Sequence, residues 1–210
     1  MFYPLFIDLR ARHVLVVGGG DVAERKVDSL IQAEASVTVV APDLTPRLQK
    51  LQESGAIRAI RRKFDEADME DALLVISATD DPDTQNRVAA VARARKILVN
   101  TVDQPKLCDF IVPAIVRRGD LVAALSTSGK SPVLAATLKA KMEAIITDDA
   151  ARAARLLGEI RTEVHTRFQD PDRSRKAFER VVESGILEWI AEVDDSAALS
   201  KIRSIVEGLE

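Results

Sequence analysis

Short, continuous apolar runs alternate with amphipathic stretches over the first hundred residues of the chain. The runs typical of buried strands are residues 13–17, 37–41, 57–60, 73–78 and 97–101. Between them, apolar positions recur at steps of three and four, which predicts helices beginning near Val22, Thr45 and Pro82. Strands that are apolar on both faces and alternate with helices form parallel, doubly wound sheets. The pattern therefore predicts an N-terminal α/β domain.

The pattern changes after Pro105. Residues 110–117 and 121–126 are two β-type runs on either side of a Gly-Asp turn, which predicts a hairpin. The apolar spacing then becomes helical, with breaks expected near residues 148–149, 170–172, 184–185 and 194–196. We place domain boundaries after residues 112 and 147. A small α+β segment is thus expected between the α/β domain and a helical C-terminal domain.

Composition and charge narrow the classes of protein that remain. The chain carries 30 Lys and Arg against 33 Asp and Glu, a net charge of −3, which argues against a general nucleic-acid binder. Hydrophobic residues make up 47%, and no apolar run approaches the roughly 20 residues that span a bilayer, so we expect a globular protein without a membrane partner. Cys108 is the only cysteine, which fits a reducing compartment. We expect a cytoplasmic protein.

Three glycines follow the first apolar run and open the first helix. Residues 18–23 match the fingerprint G-x-G-x-x-A, in which Gly18 permits a tight turn and Gly20 lets a pyrophosphate approach the backbone. Ala23 keeps helix and strand close, and the start of the helix offers unpaired N–H groups to an anion. The fingerprint in this context predicts a Rossmann domain that binds an adenine dinucleotide. The predicted contacts from this loop are Gly18, Gly20, Asp21, Val22 and Ala23.

An acidic residue at the end of the second strand bears on the choice of dinucleotide. Asp43 lies 25 residues after Gly18 and, with Pro42 beside it, is placed to accept hydrogen bonds from the adenosine ribose, which favours NAD over NADP. The alternative is a structural glycine turn with Asp43 as the cap of the next helix. Arg25 and Lys26 also have two interpretations. They contact phosphates or an anionic substrate, or they are solvated residues of the first helical turns.

Several motifs, in the same order along the chain, resemble those of a known family. They are residues 3–6 (YPLF), 16–26 (VVGGGDVAERK), 78–81 (ATDD), 100–103 (NTVD), 110–114 (FIVPA) and 126–132 (STSGKSP). Together they are similar to the dehydrogenase and ferrochelatase module of siroheme synthase. The resemblance is close over residues 1–147 and loose over the helical tail.

The resemblance implies an NAD-dependent precorrin-2 dehydrogenase, which oxidises a tetrapyrrole to sirohydrochlorin on the route to siroheme. Some members also insert ferrous iron, which is then a second substrate. Members are homodimers whose subunits meet through the segment after the Rossmann domain. The implied organisation is an NAD-binding domain at residues 1–112, a dimerisation segment at 113–147 and a helical domain at 148–210. We expect the methyltransferase domain of bifunctional relatives to be lacking.

Asp103 is the candidate catalytic residue, because it falls at the acidic position of the family's Asn-x-Val-Asp motif. It follows a parallel strand, at the sheet edge where ligands bind, and a carboxylate there takes up the proton lost with the hydride. The other interpretation is an ordinary turn aspartate. Thr79, which follows the preceding strand, and Val102 are predicted to contact the nucleotide. Asp80 and Asp81 are expected to be partly structural.

Hydroxyl groups and a lysine gather after the second hairpin strand. Ser126, Thr127, Ser128 and Lys130 form a rim suited to the acetate and propionate groups of a tetrapyrrole. A plain helix-capping loop, with Ser131 as N-cap, is the alternative.

Other groupings of polar residues point to no further chemistry. His13, His165 and Cys108 lack ligand spacing, so we expect no stable metal site. The basic run at residues 58–63 has no aromatic residues among its charges, and we expect a solvated edge.

Two other functions stay open from the sequence. One is a nucleotide-sensing regulatory domain of a potassium transport system, which shares a glycine loop and an Ala-Thr-Asp-Asp segment. Such a domain has no need of Asp103 or of residues 126–132. The other is a ferrochelatase that keeps NAD binding as a relic.

Overall fold

The computed structural model describes residues 2–208 of the chain. Contacts between residues divide it into two compact units, Met1–Val112 and Pro113–Glu210. The first holds the predicted α/β domain, and the second holds the predicted hairpin and helical tail. The roles assigned to residues 1–112, 113–147 and 148–210 stay predictions.

A five-stranded parallel sheet forms the centre of the first unit. Its strands are β1 (His13–Val17), β2 (Ser36–Val40), β3 (Arg58–Ile60), β4 (Leu74–Ser77) and β5 (Leu98–Thr101). They lie in the order β3-β2-β1-β4-β5, and every neighbouring pair is parallel. The predicted α/β fold with a parallel sheet is confirmed.

Helices cover both faces of this sheet. They are α1 (Asp21–Gln32), α2 (Pro46–Glu53) and α3 (Pro82–Ala94). On one face, Val16 of β1 shares a core with Val27 of α1 and Leu48 of α2, and all three side chains are fully buried. On the other face, Val17 shares a second core with Val88 of α3. Successive side chains of a strand point to opposite faces, so two buried faces require the continuous apolar runs of the sequence.

The strand order creates a switch point between β1 and β4. The chain winds outward from β1 through β2 to β3 on one side, and then through β4 to β5 on the other. At such a point the connections leave the sheet in opposite directions and open a crevice at the carboxyl ends of the strands. The loops after β1, β2, β4 and β5 all emerge at this edge.

The second unit begins with the predicted hairpin, formed by β6 (Ala114–Arg118) and β7 (Leu121–Leu125). Gly119 in its turn has a φ of +52°, a conformation that glycine adopts without strain. The first strand is shorter than the predicted run. Phe110 instead packs against the core of the first unit, and its carbonyl accepts a hydrogen bond from Asn100 Nδ2 at 2.9 Å.

The remainder of the second unit is helical, as predicted. Its helices are α4 (Pro132–Glu143), α5 (Asp148–Glu159), α6 (Arg161–Arg167), α7 (Pro171–Glu183), α8 (Ile186–Trp189) and α9 (Asp195–Glu207). The predicted breaks are present. The break at Ile160, between α5 and α6, was not predicted, because a buried isoleucine occupies it rather than glycine, proline or an acidic residue. Short 3-10 turns occupy Glu66–Met69, Pro105–Leu107 and Ile190–Glu192.

Arg152 links three parts of this helical region. Its guanidinium donates to the carbonyl oxygens of Ile190 and Val193 at 2.7 Å each. It also pairs with Asp195 at the start of α9 at 2.6 Å. Among the helices of residues 2–208, none combines the length and the apolar character needed to cross a membrane.

Candidate dinucleotide site

The loops that follow all five strands meet at the carboxyl edge of the parallel sheet around a cleft of about 890 Å³. The cleft lies at the switch point between β1 and β4, where open α/β sheets bind their ligands. The predicted site residues that line it are Gly18, Gly20, Asp21, Val22, Pro42, Asp43, Thr79, Val102 and Asp103. The fold thus brings positions that are far apart in sequence to one concave surface. Ala23 is outside this lining, with its side chain fully buried in the core beneath α1.

Gly18 and Gly19 are glycines for reasons internal to the protein. Gly18 has a φ of +126°, and a Cβ there would lie 2.3 Å from the carbonyl oxygen of Ala78. A Cβ on Gly19 would lie 2.0 Å from the carbonyl oxygen of Asp43. Both distances are far shorter than van der Waals contact. The loop after β1 therefore packs against the loops after β2 and β4 only because it lacks side chains.

Gly20 has a different environment. A Cβ at this position would meet no described atom within 4 Å. Gly20 is also the N-cap of α1 and supplies no side-chain hydrogen bond, whereas Thr45 and Asp81 cap α2 and α3 with their side chains. Open space beside uncapped N–H groups at the start of a helix suits a pyrophosphate. The residues present therefore fit a dinucleotide.

The loop after β2 is fixed against the glycine loop through Thr45. Its N–H donates to the carbonyl of Gly19 at 2.9 Å, and its hydroxyl donates to Glu24 Oε2 at 2.6 Å. Thr45 Oγ1 also accepts from Leu48 N at 3.2 Å, so Thr45, and not Asp43, caps α2. The exposed Asp43 carboxylate is left at the cleft without a capping role. This arrangement favours the ribose interpretation over the helix-cap alternative.

The segment after β4 is held by its own side chains. Gln85 Nε2 donates to the carbonyl of Thr79 at 2.7 Å. Asp81 caps α3 by accepting from the N–H groups of Asp83 and Thr84 at 3.3 Å each. A hydrogen bond from the Thr84 hydroxyl is the largest cause that lowers the pKa of Asp81 below its ordinary value of 3.8. Asp81 has a structural role, while Thr79 lines the cleft.

Asp103 follows β5 with a φ of +59°, in the left-handed region where aspartate and asparagine are the better tolerated side chains. Its side chain is exposed and lines the cleft together with Val102. Val102 N donates to the carbonyl of Ser77 at 2.9 Å, which fixes this loop to β4. This backbone conformation thus suits an aspartate, whose carboxylate lies at the cleft.

A family model described as "Putative NAD(P)-binding" matches residues 5–114, which cover nearly all of the first unit and just over half of the chain. The chain belongs to this NAD(P)-binding family. The match includes the glycine loop, Asp43, Thr79 and Asp103.

Similarity to individual proteins extends over the helical tail as well. The siroheme synthase of Methylobacillus flagellatus is 42% identical over 205 residues, 98% of this chain and 44% of that protein. The siroheme synthase of Thioalkalivibrio sulfidiphilus is 41% identical over 98% of this chain and 42% of that protein. The structure of "SirC, precorrin-2 dehydrogenase" is 28% identical, with a TM-score of 0.69, and covers 99% of this chain and 98% of that one. The predicted resemblance is confirmed, and the chain spans less than half the length of these siroheme synthases.

Sequence patterns alone do not single out Lys63 and Phe64, although both line the cleft. Lys63 ends the basic run whose charges favour a solvated edge, and Phe64 follows it; Arg62 in that run does pair with Asp68 at 2.6 Å. Lys63 differs because it follows β3 at the same carboxyl edge as the other cleft loops. Position relative to the end of a parallel strand is the signal that identifies it.

The predicted substrate rim belongs to the second unit. Its side-chain hydroxyl groups form hydrogen bonds with the backbone of the same loop. We refer to residues 126–131 as the hydroxyl loop. Thr127 Oγ1 accepts a hydrogen bond from Ser131 N and donates one to Ser131 O, both at 3.1 Å. Ser131 in turn caps α4 by accepting from Leu134 N at 3.2 Å. The predicted alternative of a capping loop therefore describes these two residues.

The remaining members of the rim are more available. Ser126 Oγ accepts from the N–H of Ser128 at 2.9 Å. Ser128 has a φ of +54° and is exposed, as is Lys130. Within residues 2–208, the side chains of Ser128 and Lys130 make no hydrogen bond or ion pair. These two side chains are the ones free to meet a ligand.

The residues considered as metal ligands lie apart in ordinary surroundings. His13 Nε2 is 3.0 Å from Thr38 Oγ1. His165 packs on the ring of Phe178, with a centroid separation of 6.3 Å. Cys108 Sγ donates to the carbonyl of Thr101 at 3.1 Å. In the described part of the chain, no three His, Cys, Asp or Glu side chains come together as a metal site.

Proposed function

We propose that this chain oxidises precorrin-2 to sirohydrochlorin with NAD as the hydride acceptor. The observation that carries the proposal is a single cleft combining an uncapped glycine loop, a carboxylate on the ribose side at Asp43 and a second carboxylate at Asp103. The names of its relatives, siroheme synthase and precorrin-2 dehydrogenase, support the choice of substrate.

The Asp43 carboxylate favours NAD over NADP. When bound, NAD supplies the nicotinamide that accepts a hydride. Asp43 accepts hydrogen bonds from the ribose hydroxyls and repels a 2′-phosphate. Arg47 near the start of α2 is paired with Asp28 at 2.7 Å, so its charge is already engaged.

Asp103 takes up the proton that is lost with the hydride. Oxidation removes two hydrogens from precorrin-2, one as hydride and one as a proton, so the products are sirohydrochlorin, NADH and a proton. A carboxylate within hydrogen-bond reach of the reacting carbon is a suitable acceptor for that proton. The position of Asp103 after β5, on the same cleft as the glycine loop, supports this role.

Ser126, Thr127, Ser128 and Lys130 remain our proposal for the rim that binds the acetate and propionate groups. The free side chains of Ser128 and Lys130 make the direct contacts. Ser126 and Thr127 act through the shape of the loop, since their hydroxyl groups are engaged within it.

We infer that two copies of the chain associate through residues 113–147. No residue of α4 is buried within the described chain, and Val133 is 78% exposed. Ile145, just after α4, is 73% exposed. Exposed apolar side chains grouped in one segment are typical of a protein interface. Sedimentation equilibrium tests this: the wild type is expected to be dimeric and the double variant Val133→Asp, Ile145→Asp monomeric.

The other functions considered from the sequence have weaker support. None of the relatives described above is named as a potassium transport regulator. Insertion of ferrous iron and a cytoplasmic location stay predictions. Incubating sirohydrochlorin and ferrous iron with the protein in the absence of NAD measures chelation separately from oxidation.

The direct test of the proposed function is a rate assay with precorrin-2 and NAD under anaerobic conditions. We expect NADH and sirohydrochlorin to appear, a slower rate with NADP, and no turnover in Gly20→Asp, whose carboxylate occupies the pyrophosphate position. Intact precorrin-2 and no NADH after prolonged incubation of the wild type contradict the proposal.

A further inference from the structure

Cys108 is the only cysteine of the chain, and the mechanism proposed above leaves it unused. It lies in the segment that follows β5, five residues after Asp103. Its thiol forms no disulfide and is half-buried. The groups that this thiol contacts belong to the backbone around Asp103 and to the end of β5.

The sulfur of Cys108 contacts the turn that carries Asp103. Residues 101–104, which we call the Asp103 turn, are closed by a hydrogen bond from Gln104 N to Thr101 O at 3.3 Å. Cys108 Sγ accepts a hydrogen bond from Thr101 N at 3.2 Å. Its single hydrogen has two acceptors within reach, Thr101 O at 3.1 Å and Gln104 O at 3.4 Å. One sulfur atom thus contacts the backbone at both ends of the turn.

Cys108 is itself held against β5. Asn100 Nδ2, in a buried residue of that strand, donates to Phe110 O at 2.9 Å and lies 3.6 Å from Cys108 Sγ. Asp109 N donates to Val99 O at 2.8 Å, and the Asp109 carboxylate accepts from Val99 N at 3.2 Å. The chain that returns from the Asp103 turn is therefore bonded to the outermost strand of the sheet. The thiol is a fixed point beside the turn.

The carboxylate of Asp103 depends on this backbone for its position. Within residues 2–208, the Asp103 side chain makes no hydrogen bond or ion pair. In the same part of the chain, Cys108 is the residue whose side chain hydrogen-bonds to the backbone of the Asp103 turn. The turn thus sets the place of the carboxylate at the cleft, and the thiol helps to set the turn.

We propose that Cys108 is a positioning residue whose thiol holds the Asp103 turn, so that the carboxylate stays within reach of the substrate. This inference rests on the proposed function, because it takes Asp103 as the proton acceptor. A general base acts at hydrogen-bond distance, and a misplacement of about 1 Å costs up to about a hundredfold in rate. Loss of the thiol therefore slows proton removal and leaves the glycine loop, which binds NAD, unchanged.

Lys106 provides a matched control in the same segment. It is exposed, and its side chain makes no hydrogen bond or ion pair in the described chain. Lys106→Ala shortens a side chain close to Asp103 in sequence without removing a contact to the turn. Comparing it with Cys108→Ala separates loss of the sulfur contacts from a general change in this segment.

The first measurements are kcat, the KM for precorrin-2, the Kd of NAD and the melting temperature of each variant. For Cys108→Ala, we expect kcat to fall about tenfold to a hundredfold while the Kd of NAD stays at the wild-type value. Cys108→Ser keeps a hydrogen-bonding atom and recovers part of kcat. Lys106→Ala matches the wild type. A wild-type kcat in Cys108→Ala overturns the inference and leaves the proposed function standing.

A double variant tests whether Cys108 acts through Asp103. Cys108→Ala is combined with Asp103→Asn, and the residual rate is followed over prolonged incubation. Once the base is gone, the thiol has no base to position, so we expect no further fall in kcat. An equal fold-loss with and without Asp103 indicates a merely structural role and overturns the inference. If Cys108→Ala does not fold, Cys108→Ser is compared in the same two backgrounds.

Amide hydrogen exchange examines the turn without any turnover. The backbone N–H of Gln104 bonds to Thr101 O and not to sulfur, so its exchange rate reports on the turn itself. We expect this N–H to exchange faster in Cys108→Ala than in the wild type and Lys106→Ala. Faster exchange in a protein that forms no NADH supports the hold of the thiol on the turn and contradicts the dehydrogenase proposal. Unchanged exchange overturns the inference whether or not the wild type forms NADH.

Discussion

The glycine loop after β1 and the hydroxyl loop after β7 both connect a strand to a helix, but they differ in whether a side chain caps the start of that helix. Each follows a strand, turns through a left-handed glycine, Gly18 or Gly129, and opens a helix. In the glycine loop, the start of α1 has no side-chain cap and Gly20 faces open space. In the hydroxyl loop, Ser131 caps α4. A loop that leaves its helix start open has room for an anion, whereas a loop that fills it with a side chain has used that binding capacity.

The largest expected effect is the difference in stability between an alanine substitution at Gly19 and one at Gly20. Gly19→Ala places a Cβ against the carbonyl of Asp43, and relieving such a clash costs about 3 kcal/mol or more. Gly20→Ala meets no described atom, so the melting temperature stays near that of the wild type while NAD affinity falls. Thermal unfolding and NAD titration of both variants check this. Equal loss of stability in the two variants contradicts the assignment.

The second prediction concerns Asp103. Asparagine tolerates the left-handed backbone at this position, so Asp103→Asn removes the proton acceptor without adding strain. Loss of a general base ordinarily lowers the rate by roughly a hundredfold to ten-thousandfold. We expect kcat to fall within that range while the Kd of NAD and the melting temperature are unchanged. Full turnover by this variant makes Asp103 a turn residue only.

The sequence predicts the features that depend on neighbouring residues, and it misses those that depend on contacts between distant segments. The strands and helices of the first unit follow from continuous apolar runs and turn residues. Gly19 occupies a variable position of the fingerprint, and its need for glycine comes from Asp43, 24 residues further along. Lys63 belongs to the cleft only because β3 ends at the same edge as β1. The role of Ser131 as a cap, in contrast, is a local property and was foreseen as an alternative.

The hydroxyl loop offers a smaller contrast of the same kind. Thr127→Val removes both hydrogen bonds to Ser131, each worth about 1 kcal/mol. The free energy of unfolding therefore falls, and the N-terminus of α4 is held less rigidly. Ser128→Ala removes a free hydroxyl, so stability is kept and KM for precorrin-2 rises a few-fold. Denaturant unfolding and initial rates separate the two variants. If Ser128→Ala leaves KM unchanged, the loop is a cap without a substrate contact.

The smallest effect is the pH response of the cap on α3. The folded-state pKa of Asp81 is lowered, chiefly by the Thr84 hydroxyl, so its contribution to stability is present above the ordinary pKa of 3.8. That contribution is lost as the pH falls through the folded-state value. Asp81→Ala should therefore melt below the wild type at neutral pH, and the difference should narrow in strongly acidic buffer. A difference in melting temperature that is independent of pH contradicts a role for the charge of Asp81 in capping α3.

One measurement tests the central claim that the first unit's cleft performs the oxidation. In a single turnover with enzyme in excess over precorrin-2 and with saturating NAD, both products are quantified in the same sample. We predict one NADH for each sirohydrochlorin in the wild type, and neither product within the time of the wild-type reaction in Asp103→Asn, which still binds NAD. Sirohydrochlorin formed without an equal amount of NADH, or precorrin-2 recovered intact from the wild type, contradicts the claim.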